Sequence, residues 1–197
     1  MSSAAKHGVK TTTPTNIPLG AGTIHKGLKW DTEKKAWNFD ETIIGATSGG
    51  NKVSIVGELM DIELDGALVK VKGLAVKNGG TASMENNYAE LTNDIIKMAT
   101  LFEEGESDAE GYTMFGDKAS IKEGDYVDGY AFVGKTANDT KKIIVIFESA
   151  LCTSGFELEG KNKENSVIKV TMEAYAENAG DLDTIPVKIY YPDEIVG

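Results

Sequence analysis

The chain has 197 residues, with 31 acidic residues against 20 basic ones, one Cys, two His, 22 Gly and 4 Pro, and a formal charge of −11. All 20 basic residues are Lys, and neither Arg nor Gln occurs anywhere. Such an inventory argues against gripping nucleic acid, which draws heavily on the bidentate guanidinium fork, and a single Cys makes neither an intramolecular disulfide nor a Cys-based zinc site.

Residues 1–22 are small, polar and Thr-rich and read as a flexible N-terminal arm, leaving 23–197 as a single domain. The start, MSSAAKHGVKTTTPTNIPLG, lacks a signal-peptide core, and no apolar run approaches the roughly 20 residues that span a bilayer. A soluble, unexported chain with no membrane partner is expected. An apolar content of 41% suffices for one core.

A strand is predicted from Thr23 to Lys29. A polar and aromatic segment then runs over about 30–52 and holds both Trp, Trp30 and Trp37, with Phe39, Ile43 and Ile44. Loops of that length are functional, disordered, or unrecognised hairpins. Over 53–74, Asp65-Gly66 predicts a two-residue hairpin of type I′. That register sets Leu64 opposite Ala67, Ile62 opposite Val69 and Met60 opposite Val71. It also sets Asp61 opposite Lys70, with Glu63 diagonal to Lys70, giving one apolar and one charge-complementary face.

A strand over 82–89 precedes Leu91, Ile95, Met98, Ala99 and Phe102 at helical spacing, with Thr92 or Asn93 as cap. The run EEGESDAEG, 103–111, reads as an acidic loop. Alternating strands follow over 126–133, 168–176 and 185–191. Several short strands with one helix predict a mainly β fold: an antiparallel β-sandwich or barrel with one flanking α-helix. Residues 143–147 are apolar at every position, so both faces of that strand need cover. Either the helix or a subunit interface supplies it.

Chemistry-bearing patterns are sparse. Gly20-Ala21-Gly22 and Gly49-Gly50 open no phosphate-binding unit, since no Gly-Lys-Ser/Thr follows. Cys152 lacks an assigned base, with only His7 and His25 in the chain, and reads as a small core residue. The acidic cluster 103–108 lacks EF-hand spacing, and Asn138-Asp139-Thr140 matches a glycosylation sequon without a signal peptide to use it. No catalytic, metal or cofactor site is expected, and assembly through large loop aromatics is the main functional suggestion. The competing readings are a monomeric carbohydrate-binding or adhesion module, with Trp30, Trp37 and Tyr130 stacking on sugars, and, ranked last, an enzyme.

The run IGATSGGNKVSIVGELMDIELDGALVKVKGL, 43–74, resembles the N-terminal signature of major tail proteins (tail tube proteins) of long-tailed, non-contractile bacteriophages of Gram-positive hosts. IPLGAGTIHKGL, 17–28, is similar to that family's opening segment, and KKIIVIFESALCTSGFELEGKNKENSVIKVTMEAYAE, 141–177, to its closing half. The resemblance implies a tail-tube-like sandwich closing into hexameric rings that stack into a hollow tube for ejection of double-stranded DNA. It implies a virion protein assembled in the host bacterial cytoplasm, partnering itself, the tape measure protein, the tail terminator and baseplate or distal tail proteins, while DNA passes without specific binding. Trp30, Trp37, Phe39, Ile43 and Ile44 become candidates for ring stacking. Asp61, Glu63, Lys70 and Lys72 are candidate lumen-facing charges, with plain solvent exposure as the other explanation.

Overall fold

The computed structural model describes residues 8–10, 13–136, 142–158, 162, 166–177 and 182–192. His7, the sequon at 138–140, most of the charged turn at 159–165 and the apolar end at 193–197 lie outside them.

The described chain starts with one helical turn, α1 (Thr13–Asn16), and β1 (Pro18–His25). A small hairpin of β2 (Trp30–Asp31) and β3 (Ala36–Trp37) and the one-turn α2 (Phe39–Thr42) lead to two long strands, β4 (Thr47–Asp61) and β5 (Ala75–Tyr88). Next come α3 (Asn93–Thr100) and a hairpin of β6 (Glu103–Gly105) and β7 (Met114–Gly116). The last strands are β8 (Val127–Thr136), β9 (Lys142–Cys152), β10 (Ile168–Tyr175) and β11 (Val187–Tyr190). One antiparallel sheet takes seven of these strands, in the order β1-β8-β9-β10-β5-β4 with β11 beside β9. Asn51 of β4 donates to the Ala21 carbonyl of β1 at 2.9 Å, so the sheet curls until its end strands meet. The mainly antiparallel β fold with a flanking helix is as expected.

The helix forms where its cap and period put it. Thr92 accepts from the Ile95 N–H at 3.3 Å, and Asp94 occupies the first turn, where the dipole favours an acid. Leu101 ends it in the left-handed conformation, its N–H bonding the Lys97 carbonyl at 3.0 Å. Ile95, Met98 and Ala99 are buried in the main core with Met84, Tyr88, Tyr130, Phe147 and Met172.

The apolar strand β9 is covered on both sides from within the chain. Val145 and Phe147 face the main core that α3 completes. Ile144 and Ile146 face a second cluster with Leu28, Ala131 and Val133, against which Trp37 and Phe39 pack. Helix and aromatic segment thus take one face each.

The structure departs from the expected registers in several places. β1 starts at Pro18, inside the predicted arm, because Pro18 and Leu19 pair with Thr136 and Lys135. The 30–52 segment resolves into β2, β3, α2 and the start of β4. Glu103–Gly105 of the predicted acidic loop pairs with Met114–Gly116.

The main correction concerns the hairpin. β4 and β5 do pair, but Asp61 faces Ala75 and Met60 faces Val76, leaving 62–74 as a loop. Within it Asp65-Gly66 makes a local turn, with the Ala67 N–H bonded to the Leu64 carbonyl at 3.1 Å. A second turn follows at 71–74, and the Ile62 N–H bonds the Leu74 carbonyl at 2.9 Å to close the loop. Gly66 has φ +87°, whereas Asp65 is not among the described residues with positive φ. A type I′ turn needs positive φ at both central residues to match the twist of its strands. This turn lacks that geometry and does not continue the ladder.

Candidate assembly surfaces

The ladder between β10 and β5 runs from Ile168 opposite Tyr88 to Glu173 opposite Ser83. Before Ser83, β5 is paired only with β4, so 55–61 and 75–82 form a two-stranded ribbon tipped by 62–74. The ladder shifts between Gly57 opposite Gly80 and Leu59 opposite Lys77, which leaves Asn78 and Gly79 as a bulge in β5. A Cβ on Gly80 would lie 2.6 Å from the Val56 carbonyl oxygen, so this close approach requires glycine.

Strand alternation puts Val56 and Met60, with Glu58 between them, on one side of the ribbon and Ile55 and Leu59, with Asp61 beyond them, on the other, so both sides carry exposed apolar residues among charged ones. Leu59 is 74% exposed, Met60 50%, Val69 78% and Leu68 98%. An exposed apolar ribbon with open edges is what globular proteins avoid unless it has a partner. Asp61, Glu63, Lys70 and Lys72 all lie around its tip. Asp61 and Lys70 form an ion pair, across the loop rather than across a two-residue hairpin.

The second surface is an aromatic cleft of about 360 Å³ lined by Trp30, Trp37, Ile144, Tyr190, Tyr191 and Lys142, with Pro192 at its end. Trp30 and Trp37 oppose each other in the β2–β3 register with ring centroids 5.4 Å apart, edge to face. Trp37 meets Tyr190 in the same manner at 4.9 Å. β11 brings Tyr190 there by pairing it with Ile144. The Lys142 ammonium stands 4.1 Å over the Phe39 ring, a cation–π contact. Trp30, Tyr190 and Tyr191 stay about half exposed, whereas Trp37 and Phe39 are half-buried against the second cluster. Ile44 packs on the main core, and Ile43 is half exposed. The five aromatic-segment candidates therefore divide between packing and surface. Tyr190, Tyr191 and Lys142 were missed, because their meeting with Trp30 depends on β9 and β11 pairing.

His25 holds the aromatic segment to β1. Its Nδ1 lies 2.9 Å from Thr42 Oγ1, and its Nε2 lies 2.8 Å from Thr23 Oγ1. Thr42 Oγ1 donates to the Asn38 carbonyl at 2.9 Å, so it accepts from His25 Nδ1–H. Nε2 is then the acceptor for the Thr23 hydroxyl. Burial, with the nearby Lys142 charge, lowers the His25 pKa to about 4, so the ring is neutral near pH 7.

Tyr130 cannot join a sugar-stacking set, because it is fully buried. Its hydroxyl lies 2.8 Å from that of Tyr88 and accepts from Asn86 Nδ2 at 2.6 Å, and burial pushes both phenol pKa values up. Cys152 and His25 are not brought together as a catalytic pair. The Cys152 thiol points at the Ala99 carbonyl at 3.6 Å, and both His25 ring nitrogens are engaged by threonines. Among the described residues no cluster of three or more His, Cys, Asp or Glu side chains could hold a metal, and no helix is long and apolar enough to cross a membrane. No protein-family model matches the chain, and neither does any curated protein.

Proposed function

We propose that this chain is a self-assembling structural subunit of a phage tail tube, in which copies close into rings and the rings stack around a passage for double-stranded DNA. The observation that carries the reading is the β4–β5 ribbon, which exposes large apolar residues on both sides over its outer half. A ribbon of two strands is marginal in water by itself, so a partner surface stabilises it. The resemblance of 17–28, 43–74 and 141–177 to tail tube proteins supplies the kind of assembly. A charge of −11 per subunit suits a conduit, because an acidic wall repels phosphate and lets DNA slide. The tape measure, terminator and distal tail proteins are the further partners of this reading.

Negative-stain microscopy of the concentrated protein, alone and with tail partners, tests it. Rings or tubes are expected. Compact monomers under every condition would remove the proposal, and saturable glycan binding by those monomers would put a carbohydrate-binding module in its place.

A further inference from the structure

We propose that one buried water molecule binds between Asn51 and Asn86, donating to both side-chain oxygens and accepting from the Tyr88–Tyr130 phenol pair. The two asparagines are direct partners across the β4–β5 ladder. Their side chains therefore leave the same face of the sheet, with Cβ atoms about 4.5–5.5 Å apart. That face is the inner one, where Asn86 is 1% exposed between Met84 and Tyr88 of the same strand. Asn51 Oδ1 and Asn86 Oδ1 are both buried, and neither has a hydrogen-bond partner among the described residues.

Each amide is oriented by its nitrogen. Asn51 Nδ2 donates to the Ala21 carbonyl at 2.9 Å and to Thr47 Oγ1 at 3.2 Å. Asn86 Nδ2 donates to the Tyr130 hydroxyl at 2.6 Å and to the Met84 carbonyl at 3.2 Å. Turning either amide over would press its oxygen against a carbonyl oxygen, so the two acceptors stay unpaired within the chain. Burying an acceptor without a donor is costly, and here two stand on adjacent strands. The phenols supply the complement. Tyr88 and Tyr130 carry two hydroxyl hydrogens and share one bond at 2.8 Å, so whichever of them donates, one hydrogen is left over. Burial raises both phenol pKa values, which keeps those hydrogens in place at neutral pH. The network thus lacks two donors and one acceptor. A water molecule supplies that set, and buried waters make about three hydrogen bonds to groups the protein leaves unpaired. A hard cation fits poorly, because it needs about six oxygens and would meet a hydroxyl hydrogen. Asn51 also makes the bond to Ala21 that joins the end strands β4 and β1, so the water ties this seam to the phenols of β5 and β8.

A crystal structure with ordered solvent tests the site, together with water–protein NOE spectroscopy on protein carrying isotope-labelled asparagine. The expected density is one peak within hydrogen-bond distance of both Oδ1 atoms and one phenol oxygen. In solution, the side-chain amide hydrogens of Asn51 and Asn86 should show NOEs with the sign of a long-lived water, whereas exposed Asn78 should not. In Asn51→Ala protein the water NOE at Asn86 should fall several-fold, because the water has lost an acceptor. Two separate peaks that each touch one oxygen, a peak ringed by about six oxygens, or an amide turned to bond within the chain would overturn the bridge. So would NOEs at Asn51 and Asn86 that match those at Asn78. The site belongs to the single chain, so these results are independent of whether the protein assembles.

Discussion

His25 offers the most direct test of how the aromatic segment is held. The ring is 1% exposed, and its donor and acceptor are both committed to threonines. Its pKa falls from the ordinary 6.5 to about 4, chiefly through burial. Between those two values the unfolded chain binds a proton at this site and the folded chain does not. Stability therefore falls as pH drops through the window from 6.5 to about 4, and the loss is complete below it. The gap between 6.5 and about 4, at 1.36 kcal/mol per pH unit, is worth about 3 kcal/mol. The assay is urea unfolding of wild type and His25→Gln at pH 7.5, 6, 5 and 4. Carboxylate titrations common to both proteins cancel in the difference. The wild-type advantage should shrink by about 3 kcal/mol between pH 7.5 and pH 4, and the His25 ring signals in NMR should stay neutral at pH 5.5. A difference that does not vary with pH, or a ring that titrates near 6.5, would show that the His25–Thr42 lock does not exist in solution.

Other parts of the structure carry their own expected outcomes. Tyr130→Phe removes the hydroxyl between Tyr88 and Asn86 and should cost about 1–3 kcal/mol in chemical denaturation, since buried partners lose a bond. Lys118→Met strips the partner from Asp125 in an ion pair whose side chains are only 7% and 6% exposed. Asp125 keeps the Lys122 N–H at 2.7 Å, so losing the ammonium should cost about 1.5–3 kcal/mol, with Lys118→Met plus Asp125→Leu recovering much of the loss. Trp37→Ala opens the cluster over Ile144 and Ile146 and should lower stability by about 2–3 kcal/mol in thermal unfolding, because Trp37 is only half-buried there.

What the sequence alone determined lies where the signal is local or periodic. Thr92, Asp94 and the spacing of Ile95, Met98 and Ala99 specify α3, because cap, dipole and apolar stripe all act within a few residues. The unbroken apolar run of β9 revealed that both its faces are covered, and the small number of His and Cys left few residues for catalytic chemistry. Alternation over 168–176 marked a strand with one face on the core, and β10 is that strand. Only the tertiary structure decided which surfaces meet and which stay bare. Trp37 and Phe39 became packing for Ile144 and Ile146, and Trp30 joined Tyr190, because β9 brings distant segments to one place. The Asp65-Gly66 signal was read correctly as a turn and wrongly as the hairpin's turn, since register depends on the whole ladder from Thr47 to Tyr88 and on its bulge at Asn78 and Gly79. An apolar side chain in sequence carries no mark of being buried or exposed. That Val56, Leu59, Met60 and Leu68 stand in water follows from β10 ending its ladder at Ser83, a long-range pairing that no local pattern encodes.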